Sequence, residues 1–146
     1  MNKKQLIIIR GLPGSGKSKL AKSLVENGII HSTDNYFVKD NIYKFDISKL
    51  SEYHEENLYD AIESMIKRIS PIIIDNTNII SEHALPYVEA AEEFGYEVIV
   101  TETQTSWRFD IEELSKRNVH NCPKESIEMM IKMYEPIEKF KKKLGI

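Results

Sequence analysis

The hydrophobic pattern alternates short runs of β-branched residues with longer stretches of helical period. The short runs predict buried strands at residues 5–10, 29–33, 71–75 and 96–101. Between them, apolar residues that recur three and four positions apart predict helices at 17–26, 48–69, 81–94, 106–117 and 124–135. Strands separated by helices are typical of an α/β fold, in which a parallel sheet is covered by helices on both faces.

The ends of these elements rest on local signals. Ser48 is the predicted N-cap of the long helix, and Pro86 fits only near the start of its helix. Residues 36–45 have no clear period and predict a loop, with a small hairpin at Asp40-Asn41. The lysine-rich tail at 139–146 is expected to fray.

Length and composition limit the possible classes of protein. The 146 residues, 41% hydrophobic and 29% charged, fit one soluble domain over 1–146. The longest aliphatic run covers four residues (6–9), far below the ~20 that span a bilayer, so we expect neither secretion nor a membrane anchor. The single cysteine, Cys122, cannot form an internal disulfide or a Cys-rich zinc site, which favours a cytoplasmic protein. Because the net charge is −3, contact with nucleic acid would require a local basic patch.

One segment carries a specific chemical signature. The residues after the first strand match G-x-x-x-x-G-K-[ST], and they are Gly11, Leu12, Pro13, Gly14, Ser15, Gly16, Lys17 and Ser18. Glycines let the backbone curl until consecutive N–H groups face one concavity, and the following helix adds the positive end of its dipole. Lys17 is predicted to reach the β- and γ-phosphates, and Ser18 to bind Mg²⁺. The motif therefore predicts a site for a nucleoside triphosphate.

Two aspartates follow predicted strands. Asp75 ends an apolar run, as does the carboxylate that orients Mg²⁺ in P-loop proteins, although a turn aspartate would look the same. Asp34 lies where a strand should end beside the phosphates, and it could accept a proton from a hydroxyl, reach the metal or cap a turn. The sequence does not divide the roles of base and metal ligand between them.

Residues 106–123 predict a helix–loop–helix lid that closes over ATP. Arg117 near its middle is the better candidate to stabilise a transferring phosphoryl group, and Arg108 is the weaker one. Without further context, a solvated surface arginine is the favoured interpretation of each. For Trp107, core packing is favoured over stacking on a base.

Two further groups of side chains receive no chemical role. Lys116 and His120 could join a basic patch at the lid. His54 and Asn57 share a helix face, where solvation is favoured over contact with substrate.

Several segments in order resemble one family. They are RGLPGSGKS (10–18), STDNYF (32–37), IIIDNTN (72–78), TSWR (105–108), ELSKRN (113–118) and YEP (134–136). Together they resemble the P-loop polynucleotide 5′-hydroxyl kinases, and most of all the kinase-like P-loop (AAA-type) domain of the Nedd-four-binding-protein-two group. The P-loop domain of 2′,3′-cyclic-nucleotide phosphodiesterases is similar too.

The resemblance implies a three-layer P-loop kinase fold that binds ATP with Mg²⁺ and carries an arginine on a helical lid. It implies that Asp34 is the general base for a 5′-hydroxyl, that Arg117 is the lid arginine, and that Asp75 is the acidic residue after the third strand. There are two departures. Phage polynucleotide kinase has an arginine three positions after the base, where this chain has Phe37. The lid is also short and lacks a second arginine.

The leading hypothesis is therefore an ATP-dependent kinase for the 5′-hydroxyl of RNA or DNA. The acidic charge and Phe37 favour a small-molecule acceptor as an alternative. A third possibility is an ATP-binding module without transfer activity. The sequence leaves the acceptor and the oligomeric state open.

Overall fold

The sheet and its covering helices follow the predicted alternation. The computed structural model describes residues 3–146. Its strands are β1 (Gln5–Arg10), β2 (Ile29–His31), β3 (Val38–Lys39), β4 (Ile42–Tyr43), β5 (Ile72–Asp75) and β6 (Glu97–Glu102). Its helices are α1 (Lys17–Leu24), α2 (Leu50–Ile66), α3 (Ser81–Glu93), α4 (Ile111–Arg117), α5 (Lys124–Met133) and α6 (Ile137–Lys143). This arrangement confirms the α/β fold.

The main sheet has four parallel strands in the order β2-β5-β1-β6. Ile9 of β1 pairs with Asp75 of β5, and His31 of β2 pairs with Ile74. The carboxyl ends of these three strands therefore coincide at one edge of the sheet. In open α/β sheets this edge is where ligands bind.

The alternation of β1 separates two cores. Leu6 and Ile8 face a cluster that includes Met65 of α2 and Phe140 of α6. Ile7 and Ile9 face the opposite cluster, in which α1 contributes Ala21. Because complete burial of a Leu or Ile side chain contributes roughly 1.5–3 kcal/mol, β1 anchors both layers.

Several predicted helix ends are wrong. The long helix is preceded by a 3-10 turn at Ile47–Lys49, and Asp46 caps this turn by accepting from the N–H of Ser48, so Ser48 is not the N-cap. Helix α2 then ends at Ile66 rather than residue 69, because Arg68 adopts a left-handed conformation (φ 58°). The helix predicted from residue 106 begins only at Ile111, where Asp110 accepts from the N–H groups of the first turn.

Of the loop and tail predictions, one is confirmed and one is wrong. The hairpin at Asp40-Asn41 is confirmed, since β3 pairs antiparallel with β4 and both turn residues have positive φ. The predicted fraying of residues 139–146 is wrong, because α6 covers most of that tail and Phe140 is fully buried.

Arg10 ties the end of β1 to two distant segments, which sequence reasoning did not foresee. Its side chain is completely buried and donates to the carbonyl oxygens of Asn78 (2.9 Å), Ile79 (2.9 Å) and Glu135 (2.8 Å). The guanidinium carbon also lies over two aromatic rings, 4.3 Å from the centroid of Tyr134 and 3.9 Å from that of Phe140. We call this set of contacts the Arg10 clasp. It fixes the strand end from which the phosphate-binding motif starts.

Within residues 3–146, every helix is too short or too polar to cross a bilayer.

Candidate nucleotide-binding site

The loop between β1 and α1 requires glycine at three positions. Gly14 and Gly16 have φ values of 81° and 103°, which L side chains rarely adopt. A Cβ at Gly11 would lie 2.6 Å from Ser15 Oγ, so a larger residue would fill the concavity. The N–H of Ser15 donates to the Leu12 carbonyl at 3.0 Å, which closes the curl of the loop.

The residues of this loop fit a nucleoside triphosphate. Ser15 Oγ is buried and has no hydrogen-bond partner among the described residues, although buried hydroxyls normally have one. A phosphate oxygen at the loop would satisfy it. The Ser18 hydroxyl and the Asp75 carboxylate supply the oxygen ligands that Mg²⁺ prefers.

Lys17 and the two predicted carboxylates influence one another electrostatically. Desolvation lowers the pKa of Lys17, and the charges of Asp75 and Asp34 partly oppose that shift. Burial likewise raises the pKa of Asp75, whereas Lys17 and the Ser18 hydroxyl act to lower it. Lys17, Asp75 and Asp34, which come at the ends of three adjacent strands or just after them, are therefore close enough for their charges to act on one another.

This cluster is not a self-sufficient metal site. In the described part of the chain, no group of three His, Cys, Asp or Glu side chains could hold a metal ion. Mg²⁺ in nucleotide sites commonly has one or two protein ligands and takes the others from phosphates and water. Ser18 and Asp75 suit that type of site.

Asp34 lies in the 3-10 turn Thr33–Phe37 that follows β2. The turn is fixed to the β5 side because the N–H of Thr33 donates to Asn76 Oδ1 at 3.0 Å. The Asp34 side chain is 47% exposed, so a substrate hydroxyl can reach it. Tyr43 Oη donates to one carboxylate oxygen at 3.4 Å, and His120 Nε2 lies 3.5 Å from the other. Burial, followed by the charge of Asp34, raises the pKa of Tyr43, which keeps its phenol protonated as a donor.

The predicted lid segment lies directly on the phosphate loop. A Cβ at Gly14 would be 2.7 Å from the Leu114 carbonyl oxygen, so α4 packs against this glycine. Thr105 Oγ1 donates to the Ser15 carbonyl at 2.8 Å, and Trp107 Nε1 donates to the Gly14 carbonyl at 3.1 Å. Trp107 is half-buried and packs against the small core of the lid, in line with its predicted structural role.

The two lid arginines are placed differently. Arg117 stacks on the Trp107 ring, with its guanidinium carbon 3.7 Å from the centroid, and its Nε donates to Glu113 at 3.1 Å. It is therefore held at the edge of the phosphate loop. Arg108 lies over Phe109 at 5.5 Å, and its Nε is buried without a partner among the described residues.

Polar residues after β5 and on α2 support the site through hydrogen bonds that the sequence did not predict. Asn78 has positive φ (47°) and donates to the Ile9 carbonyl at 2.8 Å, which joins the ends of β1 and β5. Asn57 is fully buried and donates to the Tyr87 hydroxyl at 2.8 Å, so its predicted solvation is wrong. His54, on the same helix face, makes a 2.9 Å hydrogen bond with the Thr33 hydroxyl.

The chain is similar in sequence to several known proteins. Residues 6–137 match the family described as "AAA domain". The chain is 46% identical over 133 residues to human NEDD4-binding protein 2, and 33% identical over 118 residues to rat 2′,3′-cyclic-nucleotide 3′-phosphodiesterase. These matches cover 89% and 79% of this chain, but only 8% and 27% of the relatives.

Solved structures share the fold. A chain of the Pnkp1/Rnl/Hen1 RNA repair complex superposes with a TM-score of 0.70 at 21% identity, over 98% of this chain and 47% of the other. A gluconokinase from Sinorhizobium meliloti superposes with a TM-score of 0.53 at 17% identity, over 93% and 78%. With the family match over residues 6–137, these likenesses lead to one conclusion: the chain belongs to the AAA domain family, as a P-loop kinase-like member.

Proposed function

We propose that this domain is an ATP-dependent kinase that transfers a phosphoryl group to the 5′-hydroxyl of RNA or DNA. The observation that carries the proposal is a phosphate loop whose buried Ser15 hydroxyl has no partner among the described residues. Lys17 begins the helix after this loop, Asp75 ends the neighbouring strand β5, and the exposed Asp34 lies in the turn that follows β2. Phosphoryl transfer consists mainly of positioning and charge stabilisation, and these groups supply both.

The donor half uses the loop from Gly11 to Ser18. Its backbone N–H groups and Lys17 would hold the β- and γ-phosphates of ATP, and the Ser15 hydroxyl would donate to a phosphate oxygen. Ser18 and Asp75 would hold Mg²⁺, which neutralises charge on the phosphates when bound. Arg117, at the loop edge, would turn from Glu113 toward the transferring group.

The acceptor half uses Asp34 as general base. The hydroxyl oxygen forms a bond to the γ-phosphorus while the bond from that phosphorus to the bridging oxygen of ADP breaks. The hydroxyl proton passes to the Asp34 carboxylate, and ADP leaves. A base must lie within about 2.6–3.2 Å of the donating oxygen, and the exposed Asp34 carboxylate allows that approach.

The name of one structural neighbour supports a nucleic-acid acceptor. One structural neighbour is part of an RNA repair complex, and two sequence relatives are a NEDD4-binding protein and a phosphodiesterase of cyclic nucleotides. Because the chain spans small parts of those relatives, the acceptor is our inference from the site. A cytoplasmic location belongs to the same proposal.

A small-molecule acceptor is the second candidate. Phe37, which occupies the position of the arginine in phage polynucleotide kinase, is only 2% exposed. It therefore leaves the acceptor side without a cation at that place. A silent ATP-binding module is the third, favoured by the attachment of Arg117 to Glu113 and Trp107.

Transfer of labelled γ-phosphate from ATP tests the proposal directly. Oligonucleotides with a 5′-hydroxyl should be labelled, whereas oligonucleotides with a 5′-phosphate should not. Asp34→Asn should reduce the rate by roughly 10²- to 10⁴-fold, the usual contribution of a general base, and should leave ATP binding intact. Asp40→Asn is the matched control, since Asp40 is exposed in the neighbouring hairpin and should retain the full rate.

Three results would contradict the proposal in different ways. Labelling of small alcohols alone would move the function to a small-molecule kinase, and ATP binding without any transfer would favour the silent module. Hydrolysis of a 2′,3′-cyclic nucleotide without transfer would favour a phosphodiesterase. An Asp34→Asn variant at the full rate would remove Asp34 as the base.

A further inference from the structure

Two rings from separate segments meet at Asp34. Tyr43 comes from the β3–β4 hairpin and His120 from the lid loop, and their centroids are 4.1 Å apart at an interplanar angle of 35°. Their polar atoms contact the two different oxygens of the Asp34 carboxylate. A hydroxyl that reaches this carboxylate must therefore pass next to one ring or both.

Aromatic packing around the buried Phe37 holds Tyr43 in place. Phe37 is almost completely buried, and its ring lies 6.1 Å from Tyr43, 5.1 Å from Phe45 and 4.7 Å from Tyr53. This cluster fixes the hairpin, and hence Tyr43, beside the turn that carries Asp34. Rings held in advance lose little entropy when a ligand stacks on them.

The surface around the two rings is open and apolar. Ile42, which precedes Tyr43, is 66% exposed, and Val119, which precedes His120, is 79% exposed. Lys44, which follows Tyr43, is exposed as well. Exposed apolar and aromatic groups with an adjacent cation are typical of single-stranded nucleic-acid sites, where bases stack and phosphates meet lysines.

The lid tryptophan is not free to take this role. Arg117 covers a face of the Trp107 ring at 3.7 Å, and Trp107 Nε1 is bonded to the Gly14 carbonyl. The cavity of about 500 Å³ near Tyr134 is lined by β6, the segment around Phe109 and the chain around Pro136, and none of its lining residues belongs to the phosphate loop. Tyr43 and His120 remain as the rings in contact with Asp34.

We propose that Tyr43 and His120 form the acceptor subsite, on which the base of the terminal nucleoside stacks while its 5′-hydroxyl meets Asp34. This inference rests on the proposed function and adds to it a preference for acceptors with a planar base at the end. The phosphate that follows the first nucleoside then lies toward Lys44.

The test measures binding and transfer for each protein variant with each of two acceptors. Single-stranded 5′-hydroxyl oligonucleotides are compared with identical strands whose 5′-terminal residue is abasic, for both binding by fluorescence anisotropy and transfer kinetics. With the wild-type chain, removal of the base should raise Kd and KM by roughly 5- to 150-fold, the usual effect of losing one stacked base. Tyr43→Leu should raise both constants for the intact strand similarly and should abolish the difference between the strands.

Matched variants separate stacking from loss of structure. Tyr43→Phe keeps the ring and should retain the wild-type preference, whereas Tyr59→Leu removes an exposed tyrosine from α2 and should change nothing. His120→Asn should weaken binding of the intact strand less than Tyr43→Leu does, because Tyr43 stays anchored on Phe37.

The outcomes distinguish the two proposals. Transfer that ignores both the terminal base and Tyr43 would support the kinase and overturn the subsite. Binding that depends on Tyr43 and on the terminal base, without any transfer, would support the subsite and contradict the kinase. A wild-type chain that binds neither strand would overturn the subsite as well.

Discussion

The two halves of the candidate site are built differently. The base of the donor loop is buried: Leu12 and Ser15 are fully buried, Lys17 is half-buried, and the Gly11 N–H donates to the Thr77 carbonyl at 3.1 Å. In the acceptor half, Asp34 is nearly half exposed and its two contacts are 3.4 and 3.5 Å long. The donor half is thus preorganised, whereas the acceptor half is loosely held and open to adjustment by substrate.

The difference reflects how each half is encoded. Eight consecutive residues form the donor loop, so local sequence determines its chemistry. The acceptor half joins Asp34 and Tyr43, which lie nine positions apart, to His120 of the lid loop, which is far along the chain and meets them only through the packing of the lid. Phosphate binding should consequently be common to many relatives, whereas acceptor preference should vary with the hairpin and the lid.

The largest expected effect concerns the Arg10 clasp, which holds the end of β1 from which the donor loop starts. Arg10→Met keeps an apolar side chain in place but leaves the carbonyls of Asn78 and Glu135 without the side-chain donor, whereas the Ile79 carbonyl still accepts from the Glu135 N–H. We expect the free energy of unfolding to fall by about 2–6 kcal/mol, because each buried carbonyl left without a donor costs about 1–3 kcal/mol. Urea unfolding followed by circular dichroism measures the change.

Arg68→Met is the control for that experiment. Arg68 is exposed and donates to one carbonyl, that of Phe94, so its loss should cost about 1 kcal/mol. Equal effects of the two substitutions would show that the Arg10 clasp does not stabilise the donor half more than a surface contact does.

The sequence predicted the backbone of the phosphate loop and the sheet that carries it, because both depend on local rules. The glycine spacing, the apolar run before Asp75 and the alternation of strands and helices each follow from backbone sterics or from burial on one face. The φ values of Gly14 and Gly16 and the register of Ile9 with Asp75 agree with those expectations.

What the sequence did not predict depends on distant contacts. No local pattern predicts that the Arg10 guanidinium lies over two aromatic rings from the C-terminal region. The lysine-rich tail was expected to fray, yet Phe140 anchors it in the core. His120 had no chemical assignment, because only the folded lid brings it to Asp34. In each case a tertiary partner far along the chain outweighs the local pattern.

A glycine pair tests the join between the donor loop and the lid. Gly14→Ala and Gly95→Ala both place a side chain at a positive φ of similar size (81° and 73°), which should cost about 1–2 kcal/mol in stability. A Cβ at Gly95 meets nothing within 4 Å, whereas one at Gly14 meets the Leu114 carbonyl. Only Gly14→Ala should therefore displace α4 and also weaken ATP binding, as measured by calorimetric titration.

The opposite result would separate α4 from the function of the donor loop. If Gly14→Ala binds ATP as tightly as Gly95→Ala does, the contact with α4 is dispensable to the donor loop. The lid would then contribute to the acceptor half alone, and its contact at Gly14 would have no part in ATP binding.

The smallest expected effect concerns acid stability of the Arg10 clasp. Glu135 Oε1 accepts from the Ser81 N–H at 2.6 Å, and Oε2 pairs with Lys143 at 2.9 Å. Burial acts to raise the pKa of Glu135, but Lys143 and Ser81 outweigh it and hold the pKa below its ordinary value of 4.5. A lowered folded-state pKa means that the ionised carboxylate stabilises the fold above pH 4.5, and that this contribution disappears as the pH falls through the lowered value.

Glu135→Gln should therefore be less stable than wild type at neutral pH, and the difference should shrink under acid conditions. Urea midpoints measured across that range test this, with the exposed Glu138→Gln as control. A difference that stays constant with pH would mean that Glu135 acts through shape and hydrogen bonding, and that its charge does not contribute to the clasp.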